Sequence, residues 1–364
     1  MSIALQVALV MVTILVVLLV IGAPIGVAIG MSSAVSMICM IPADVSFATS
    51  AQRIFAGSNS FSLIAIPFFI LAGNIMNNGG IATRLVNCAK VISGRMPGAL
   101  AQSNVVANML FGAISGSGAA AAAAMGGTIG PLEEKEGYDK NYSTAVNVAS
   151  APVGMLIPPS NTMIVYSSVA GSVSIAALFM AGYIPGLLWG GAVMILAGIM
   201  AKKRGYQAEQ RVPVKVALKT FWQAIPSLLL IVIVIGGILG GIFTATEGSA
   251  IAVVYATVLS LIYKAFKIKD IPRIVLEAAK TTGIITFMIG LSSIMSWAMA
   301  FTGIPAAISG VMLSISSNKY VILLIINVIL LIVGTFMDMT PACLIFTPIF
   351  LPICQAVGMN TIHF

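Results

Sequence analysis

The chain has 364 residues, of which 59% are hydrophobic and only 8% are charged. Soluble domains carry roughly 25% charged residues, and no soluble fold of this length could bury so much apolar surface. The sequence therefore predicts a membrane protein that crosses the bilayer several times, by helices because its apolar runs are long and continuous. The net charge of +8 is spread over short loops between these runs, which indicates membrane topology and not nucleic-acid binding.

The apolar runs lie near 3–22, 23–41, 61–77, 98–132, 142–171, 174–201, 221–243, 246–263, 281–302, 304–317, 320–336 and 340–357. Because a spanning helix needs about 20 residues, several of these runs are too short or too interrupted to cross. We interpret the first run as a membrane helix and not a cleaved signal, since no basic segment precedes it. We expect 98–132 and 320–357 each to form a re-entrant hairpin.

Two apolar runs are interrupted at what the pattern predicts to be membrane depth, by Ser115-Gly116-Ser117-Gly118 and by Pro158-Pro159-Ser160-Asn161. Hydrocarbon offers no hydrogen-bond partner to a broken backbone, and broken helices in a many-spanning chain are typical of a transporter's binding site. The glycines let the first segment turn, and its serines can cap the following helix, whose positive end suits a carboxylate. The alternatives are close helix packing through small residues at the first break and a plain kink at the second.

The charged segments between the runs are interpreted as surface features. Residues 133–140 form the main acidic cluster, which we interpret as a solvated turn, and Glu247 has the position of a helix cap. Segments 202–219 and 264–280 are rich in Lys and Arg, so we expect both to be cytoplasmic. Three arginines flank early spans and are interpreted as anchors at the membrane surface: Arg53, Arg84 and Arg95.

Asp338 is the only carboxylate in the apolar stretch 320–364. A charge at the bilayer centre costs about 3 kcal/mol or more, which makes Asp338 a candidate cation ligand, a proton carrier or a group that orders the hairpin tip. In the alternative, 336–340 lies at the surface and Asp338 caps the next helix. Thr340 and Pro341 suit the N-cap and first helical positions under both interpretations.

The chain contains two related halves. In the first, a hairpin with a Gly/Ser tip precedes the Pro-Pro break. In the second, the apolar run is interrupted from Gly334 onward in the same way. The spacing from Ser117 to Pro158, applied again from Asp338, ends beyond Phe364. We therefore expect a second broken helix outside this chain, and a polypeptide that is truncated or only partly represented.

Other chemistries find no support in the residue pattern. The cysteines Cys39, Cys88, Cys343 and Cys354 match no metal or haem spacing, and His363 is the only histidine. The sequence contains no phosphate-binding G-x-x-x-x-G-K-[ST] motif and no hydrolase triad pattern. We therefore predict a protein that is not an enzyme and has no cofactor.

At these breaks the chain resembles the large membrane subunit of tripartite ATP-independent periplasmic (TRAP) transporters. The matching stretches run in order over nearly the whole chain: 56–69, 71–76, 115–117, 156–160, 243–247 and 334–338. The resemblance implies Na⁺-driven import of an organic acid anion, of the C4-dicarboxylate or sialic acid type, in the bacterial inner membrane. A periplasmic substrate-binding protein and a small four-helix membrane subunit are the implied partners, besides membrane lipid.

The implied fold is an all-α polytopic membrane protein with inverted repeats, two re-entrant hairpins, broken helices and an elevator-type division into scaffold and transport domains. Residues 1–97 would be mainly scaffold, 98–171 the first hairpin and broken helix, 172–280 scaffold helices with basic loops, and 281–364 the second-half transport elements.

The implied substrate and ion residues are Ser115, Gly116, Ser117, Pro158, Pro159, Ser160, Asn161, Gly334, Asp338 and Thr340. Na⁺, the coupling ion, would lie near Ser115, Ser117, Asn161 and Asp338. A stand-alone ion-coupled carboxylate carrier or antiporter of related hairpin design is the alternative, and a passive channel is a third, different class.

Overall fold

The computed structural model describes residues 3–171, 173–206, 213–316, 318–335 and 337–364. Every regular element in these ranges is helical, which confirms the predicted all-α class. Within these described residues, seven helices are long and apolar enough to cross a membrane, or eight if the helix broken near Pro158 counts as one span. The prediction of a polytopic membrane protein is therefore confirmed as well.

The helices follow one another closely, with two short 3₁₀ turns at Phe61–Ile64 and Ile268–Asp270. In chain order the α-helices are α1 (Ile3–Val20), α2 (Ile25–Met37), α3 (Ala43–Ser58), α4 (Ala65–Asn78), α5 (Ile81–Ser93), α6 (Ala99–Ser115), α7 (Gly118–Thr128), α8 (Gly130–Lys135), α9 (Lys140–Ser150), α10 (Val153–Leu156), α11 (Asn161–Val169), α12 (Ile175–Arg204), α13 (Val214–Leu239), α14 (Ala245–Ile262), α15 (Ile271–Thr302), α16 (Ile304–Ile315), α17 (Lys319–Gly334) and α18 (Met339–Ala356).

The chain forms two compact units. The first unit comprises Met1–Leu63, Ile164–Ser174 and Thr282–Phe364, and the second comprises Ile64–Met163 and Ile175–Thr281. Helices α11 and α15 therefore contribute residues to both units. The assignment of scaffold and transport roles to 1–97, 98–171, 172–280 and 281–364 stays a prediction.

In the second unit, α6 is the central helix, and it packs against α5, α7, α9, α10 and α12. Leu100 and Phe111 of α6, Met125 of α7, Tyr142 of α9 and Ala197 of α12 belong to one buried cluster. In this unit α14 also packs along α4, and α13 packs on α5. The first predicted hairpin, α6 and α7, is thus held on one side by a conventional apolar core.

In the first unit, buried residues of α1, α2, α15, α16 and α18 form a second core, which includes Val7, Ile29, Met295 and Ile345. Helices α17 and α18 pack against each other, so the run predicted as a second hairpin does form a helical pair. The opposite side chains of α1 are strongly exposed, for instance Val20 at 82%. Apolar side chains that find no protein contact suit a surface that faces lipid.

Local capping explains several helix starts. Thr244 Oγ1 accepts the backbone N–H of Glu247 at 3.2 Å, while Glu247 Oε2 accepts the N–H of Thr244 at 2.8 Å. This reciprocal pair is a capping box, which confirms the interpretation of Glu247 as a cap.

The first basic segment, 202–219, is not a loop over its whole length, because Lys215 and Lys219 already lie in α13. Residues 207–212 of the first segment lie outside the described ranges.

Candidate functional site

The first predicted break lies between α6 and α7. Gly116 takes the left-handed conformation at φ +63°, and its N–H donates to Gly112 O at 2.8 Å. Ser117 is extended and caps α7, accepting the N–H of Ala120 on its hydroxyl at 3.3 Å. The predicted turn at a glycine and cap at a serine are both confirmed, while the Ser115 side chain lies outside the described part of the chain.

The second predicted break is also present. Helix α10 ends at Leu156, the Pro158–Pro159 peptide bond is cis, and α11 begins at Asn161. Ser160 is fully buried and Asn161 is 9% exposed. The Oγ of Ser160 and the Oδ1 of Asn161 are buried without a hydrogen-bond partner among the described residues. Buried polar atoms without partners are costly and call for an explanation.

The structure brings these two breaks together. A Cβ atom added to Gly116 would lie 2.4 Å from Asn161 Nδ2 and 2.8 Å from its Cγ, so the tip of the hairpin rests directly on the start of α11. In α10, a Cβ atom added to Gly154 would lie 2.4 Å from the Cα of Gly112 in α6. Backbone-to-backbone packing through small residues thus fixes the hairpin against the broken helix. The region therefore shows the close helix packing through small residues that was one interpretation of the first break. It also brings the two breaks together, as the interpretation of a shared binding site requires.

A buried amide network beneath the tip was not expected from the sequence. Asn108 Nδ2 lies 2.9 Å from Asn104 Oδ1, 3.0 Å from Asn147 Oδ1 and 2.8 Å from Ser150 Oγ. Asn147 Nδ2 in turn donates to the carbonyl of Ala122 at 2.8 Å. These bonds join α6, α9 and α7, so they hold both arms of the hairpin. The sequence signal for this network is the pair Asn104 and Asn108, four residues apart in an apolar helix, since side-chain amides within a membrane need hydrogen-bond partners.

The other predicted residues lie at one end of the α17–α18 pair in the first unit. Gly334 is the last residue of α17, and exposed Asp338 occupies the N-cap position of α18 without a side-chain capping bond. The expectation that Thr340 and Pro341 are N-cap and first helical residues is wrong. They are the second and third residues of α18, because the helix already begins at Met339.

The wall of a cavity in the first unit includes Arg53, which was interpreted from the sequence as an anchor at the membrane surface. The cavity has a volume of about 570 Å³, and the Cζ of Arg53 lies 5.8 Å from the ring centre of Trp297. Its hydroxyl lining consists of Ser60, Ser168, Ser292, Ser293 and Ser296. None of the lining residues that the structure describes is acidic, so the cavity suits an anion. The signal in the sequence was Arg53 followed at i+3, i+4 and i+7 by Ala56, Gly57 and Ser60.

The acidic cluster is only partly the solvated turn that was expected. Glu133 is 1% exposed, whereas Glu134 and Glu136 are exposed. Asp139 caps α9 through the N–H of Tyr142 and pairs with Arg204 at 3.1 Å. Burial raises the pKa of Glu133 to about 7, against the opposing effect of the Ser143 hydroxyl. The charged form of this carboxyl is therefore disfavoured in the folded protein.

We expect Glu133→Gln to flatten the dependence of stability on pH. An unfolded glutamate titrates near 4.3, so between about pH 4.3 and 7 the folded state binds more protons than the unfolded state. The stability contributed by neutral Glu133 is present below that window and is lost as pH rises through it. Thermal unfolding in detergent from pH 4 to 8 measures this, with exposed Glu134→Gln as the matched control. A Glu133→Gln slope equal to that of the native chain would contradict the assignment.

Comparison with known proteins places the chain in a family. The model of the DctM component of tripartite ATP-independent periplasmic transporters matches residues 12–364. The uncharacterized protein YgiK of Salmonella typhimurium is 53% identical over 92% of this chain and 77% of its own. The isethionate TRAP transporter permease protein DctMQ of Oleidesulfovibrio alaskensis is 41% identical over 86% of this chain and 50% of its own. The C4-dicarboxylate TRAP transporter large permease protein DctM of Rhodobacter capsulatus is 36% identical, over 87% and 75%.

The fold has a solved counterpart as well. The crystal structure of the Alcanivorax borkumensis YdaH transporter matches with a TM-score of 0.60 at 12% identity, covering 87% of this chain and 74% of that one. This likeness concerns the fold alone. The family match and the relatives' identities show that the chain belongs to the DctM family, the large membrane subunits of TRAP transporters, and is a multi-pass transport protein of the bacterial inner membrane, not an enzyme.

Proposed function

We propose that this subunit imports an organic acid anion, of the C4-dicarboxylate or sialic acid type, by Na⁺-coupled secondary transport. Relatives named for isethionate and for C4-dicarboxylates support an acid anion as the substrate class. A periplasmic substrate-binding protein would deliver it, and a small four-helix membrane subunit would complete the membrane part. The relative named DctMQ, of which this chain covers only half, supports a second membrane component.

The observation that carries the Na⁺ proposal is the pair of unpartnered oxygens at the start of α11. Ser160 Oγ and Asn161 Oδ1 are buried, and Asn161 touches the hairpin tip at Gly116. Hard cations prefer oxygen ligands, and broken helices in transporters supply unwound carbonyls beside such side chains. A bound Na⁺ would offset the cost of burying these two oxygens. The N-termini of α7 and α11 offer positive dipole ends to the substrate's carboxylate.

The cavity that contains Arg53 supports the anion part of the proposal. Its volume of about 570 Å³ is in the range of small-molecule sites, roughly 300–1,000 Å³. A guanidinium binds a carboxylate through paired N–H groups, and serine hydroxyls can bind the remaining oxygens of a hydroxylated acid. We include Arg53 among the residues that would contact substrate during its passage.

The packing of the first hairpin supports movement of the hairpin and the broken helix as one body. Gly112 and Gly154 bring the backbones of α6 and α10 into contact, and the Asn108 network ties α6 to α9. A displacement of the hairpin tip would therefore carry Ser160 and Asn161 with it. This rigidity is what an elevator-type transport domain requires.

Reconstitution in liposomes tests the proposal. Uptake of a C4-dicarboxylate or of sialic acid should require the cognate binding protein, the small membrane subunit and an inward Na⁺ gradient. Uptake without the binding protein would support the stand-alone carrier instead. Flux that does not saturate and ignores Na⁺ would indicate a channel.

Asp338→Asn separates the two roles considered for that residue. Asparagine caps helices as well as aspartate does, so a capping role survives the change, whereas the charge needed by a cation ligand is lost. We expect the Na⁺ concentration for half-maximal uptake to rise several-fold while the unfolding midpoint stays unchanged. An unchanged Na⁺ titration would show that Asp338 is not a ligand of the coupling ion.

A further inference from the structure

A groove in the second unit lies between the start of α5, the first half of α13 and the end of α14. It has a volume of about 480 Å³. It is lined by Gly80, the N-cap residue of α5, by Thr83, Arg84 and Asn87 of α5, by Gln223 and Pro226 of α13, and by Tyr263 directly after α14. Positions 80, 83, 84 and 87 follow the i, i+3, i+4, i+7 pattern of a single helix face, so one face at the start of α5 lines this groove.

Two contacts hold the guanidinium of Arg84 in the wall of the groove. Its Cζ lies 3.4 Å from the ring centre of Tyr263, a cation–π contact, and its Nη1 donates to Gly80 O at 2.9 Å. That bond uses one of the five N–H donors of a guanidinium. Gly80 itself is left-handed at φ +70°, and a Cβ there would lie 3.2 Å from Arg84 Nη1. The arginine is thus held by its surroundings and not by an acidic partner lining the groove.

The groove is suited to a negatively charged ligand. Among the described residues that line it none is acidic, and Thr83, Asn87 and Gln223 supply further hydrogen-bond donors. The exposed cations Lys219 and Lys264 come shortly before Gln223 and directly after Tyr263 in sequence. Arginine with neutral donors is a typical set for phosphate oxygens.

Exposed apolar side chains are the sequence neighbours of two lining residues. Trp222 precedes Gln223 and is 64% exposed, and Ile262 precedes Tyr263 and is 68% exposed. Tryptophan is enriched where membrane meets water, and basic segments mark the cytoplasmic side. Basic pockets between membrane helices on that side bind lipid headgroups. Exposed apolar residues next in sequence to the lining of a phosphate-type pocket favour a ligand with acyl chains over a soluble phosphate.

We propose that the Arg84 groove binds the phosphate of an anionic membrane phospholipid, with the acyl chains lying against Trp222 and Ile262. Such a lipid would bridge α5, α13 and α14, since all three line the groove. It would stabilise this helix group independently of whether the chain carries Na⁺ or a particular substrate.

Thermal unfolding of the full chain, purified in detergent and stripped of lipid, tests the proposal. Phosphatidylglycerol should raise the unfolding midpoint by about 3 °C or more, as expected for a ligand well above its dissociation constant. Phosphatidylcholine and inorganic phosphate should give much smaller shifts. Arg84→Gln should abolish the phosphatidylglycerol shift, and Arg95→Gln, the same change at an arginine outside the groove, should retain it.

Three results would overturn the proposal. A full shift in Arg84→Gln would mean that the lipid binds elsewhere, and an equal shift from inorganic phosphate would assign the groove to a soluble phosphate. An equal shift from phosphatidylcholine would show that the groove does not read the headgroup's charge. If Arg84→Gln fails to fold, Asn87→Leu at an exposed position serves instead, with an expected loss of at least about fivefold in lipid affinity.

Discussion

Replacing Gly116 with alanine is expected to reduce Na⁺-driven uptake by at least about tenfold. A tenfold change corresponds to a free-energy difference of only about 1.4 kcal/mol. Two effects act together at this position. Its φ of +63° costs a residue with a side chain roughly 1–2 kcal/mol. In addition, the new methyl group would lie 2.4 Å from Asn161 Nδ2, so either the tip or the start of α11 must move. Such a displacement would move Asn161, whose Oδ1 is one of the two oxygens proposed to hold Na⁺.

Gly127→Ala is the matched control for this experiment. Gly127 lies in α7 of the same hairpin, and a Cβ there meets nothing within 4 Å. Alanine in a helix interior is favoured over glycine by about 1 kcal/mol, so this variant should fold at least as well and transport normally. Thermal unfolding verifies that Gly116→Ala remains folded. If that folded variant transports like the native chain, the tip and α11 do not form one site.

The two breaks were predictable because their signals are local. Gly116 can adopt a left-handed turn that other residues avoid, and Ser117 supplies the cap of α7 through its own side chain. Pro158 and Pro159 remove backbone donors wherever they stand. The Thr244–Glu247 capping box is equally local, which is why its role followed from the sequence.

The contact between the breaks was not predictable in detail, because it depends on tertiary packing. Gly116 meets Asn161 only because Gly112 and Gly154 let α6 approach α10, and a glycine in sequence does not say which backbone it faces. For the same reason, Arg53 and Arg84 were interpreted as surface anchors, although the structure places each in the wall of a cavity. Glu133 was assigned to a solvated turn together with its acidic neighbours, which are indeed exposed, whereas its own side chain is buried.

Thr340 shows a different limit. Threonine before proline is a good start signal for a helix, but the structure begins α18 at Met339, with Asp338 as the N-cap residue. Both residues have suitable side chains, and the choice between them depends on where the chain leaves α17. Helix boundaries shift by one or two residues for this reason more readily than the helices themselves do.

The second large effect is expected from removing the unpartnered oxygens at the second break. In the native chain, Na⁺ should raise the unfolding midpoint relative to K⁺ at equal ionic strength, since a ligand that binds only the folded state stabilises it. In Ser160→Ala/Asn161→Ala this increment should disappear, and the Na⁺ needed for half-maximal uptake should rise at least about tenfold.

The stability of the same variant without Na⁺ distinguishes a binding role from a structural one. Ser160 Oγ and Asn161 Oδ1 have no hydrogen-bond partner among the described residues, so deleting them removes buried, unsatisfied atoms, a change that is nearly neutral or stabilising. The variant should therefore unfold in K⁺ at or above the native temperature, as should the control Asn141→Ala at an exposed site of α9. A variant destabilised equally in Na⁺ and K⁺ would show that these side chains hold the break together and do not bind the coupling ion.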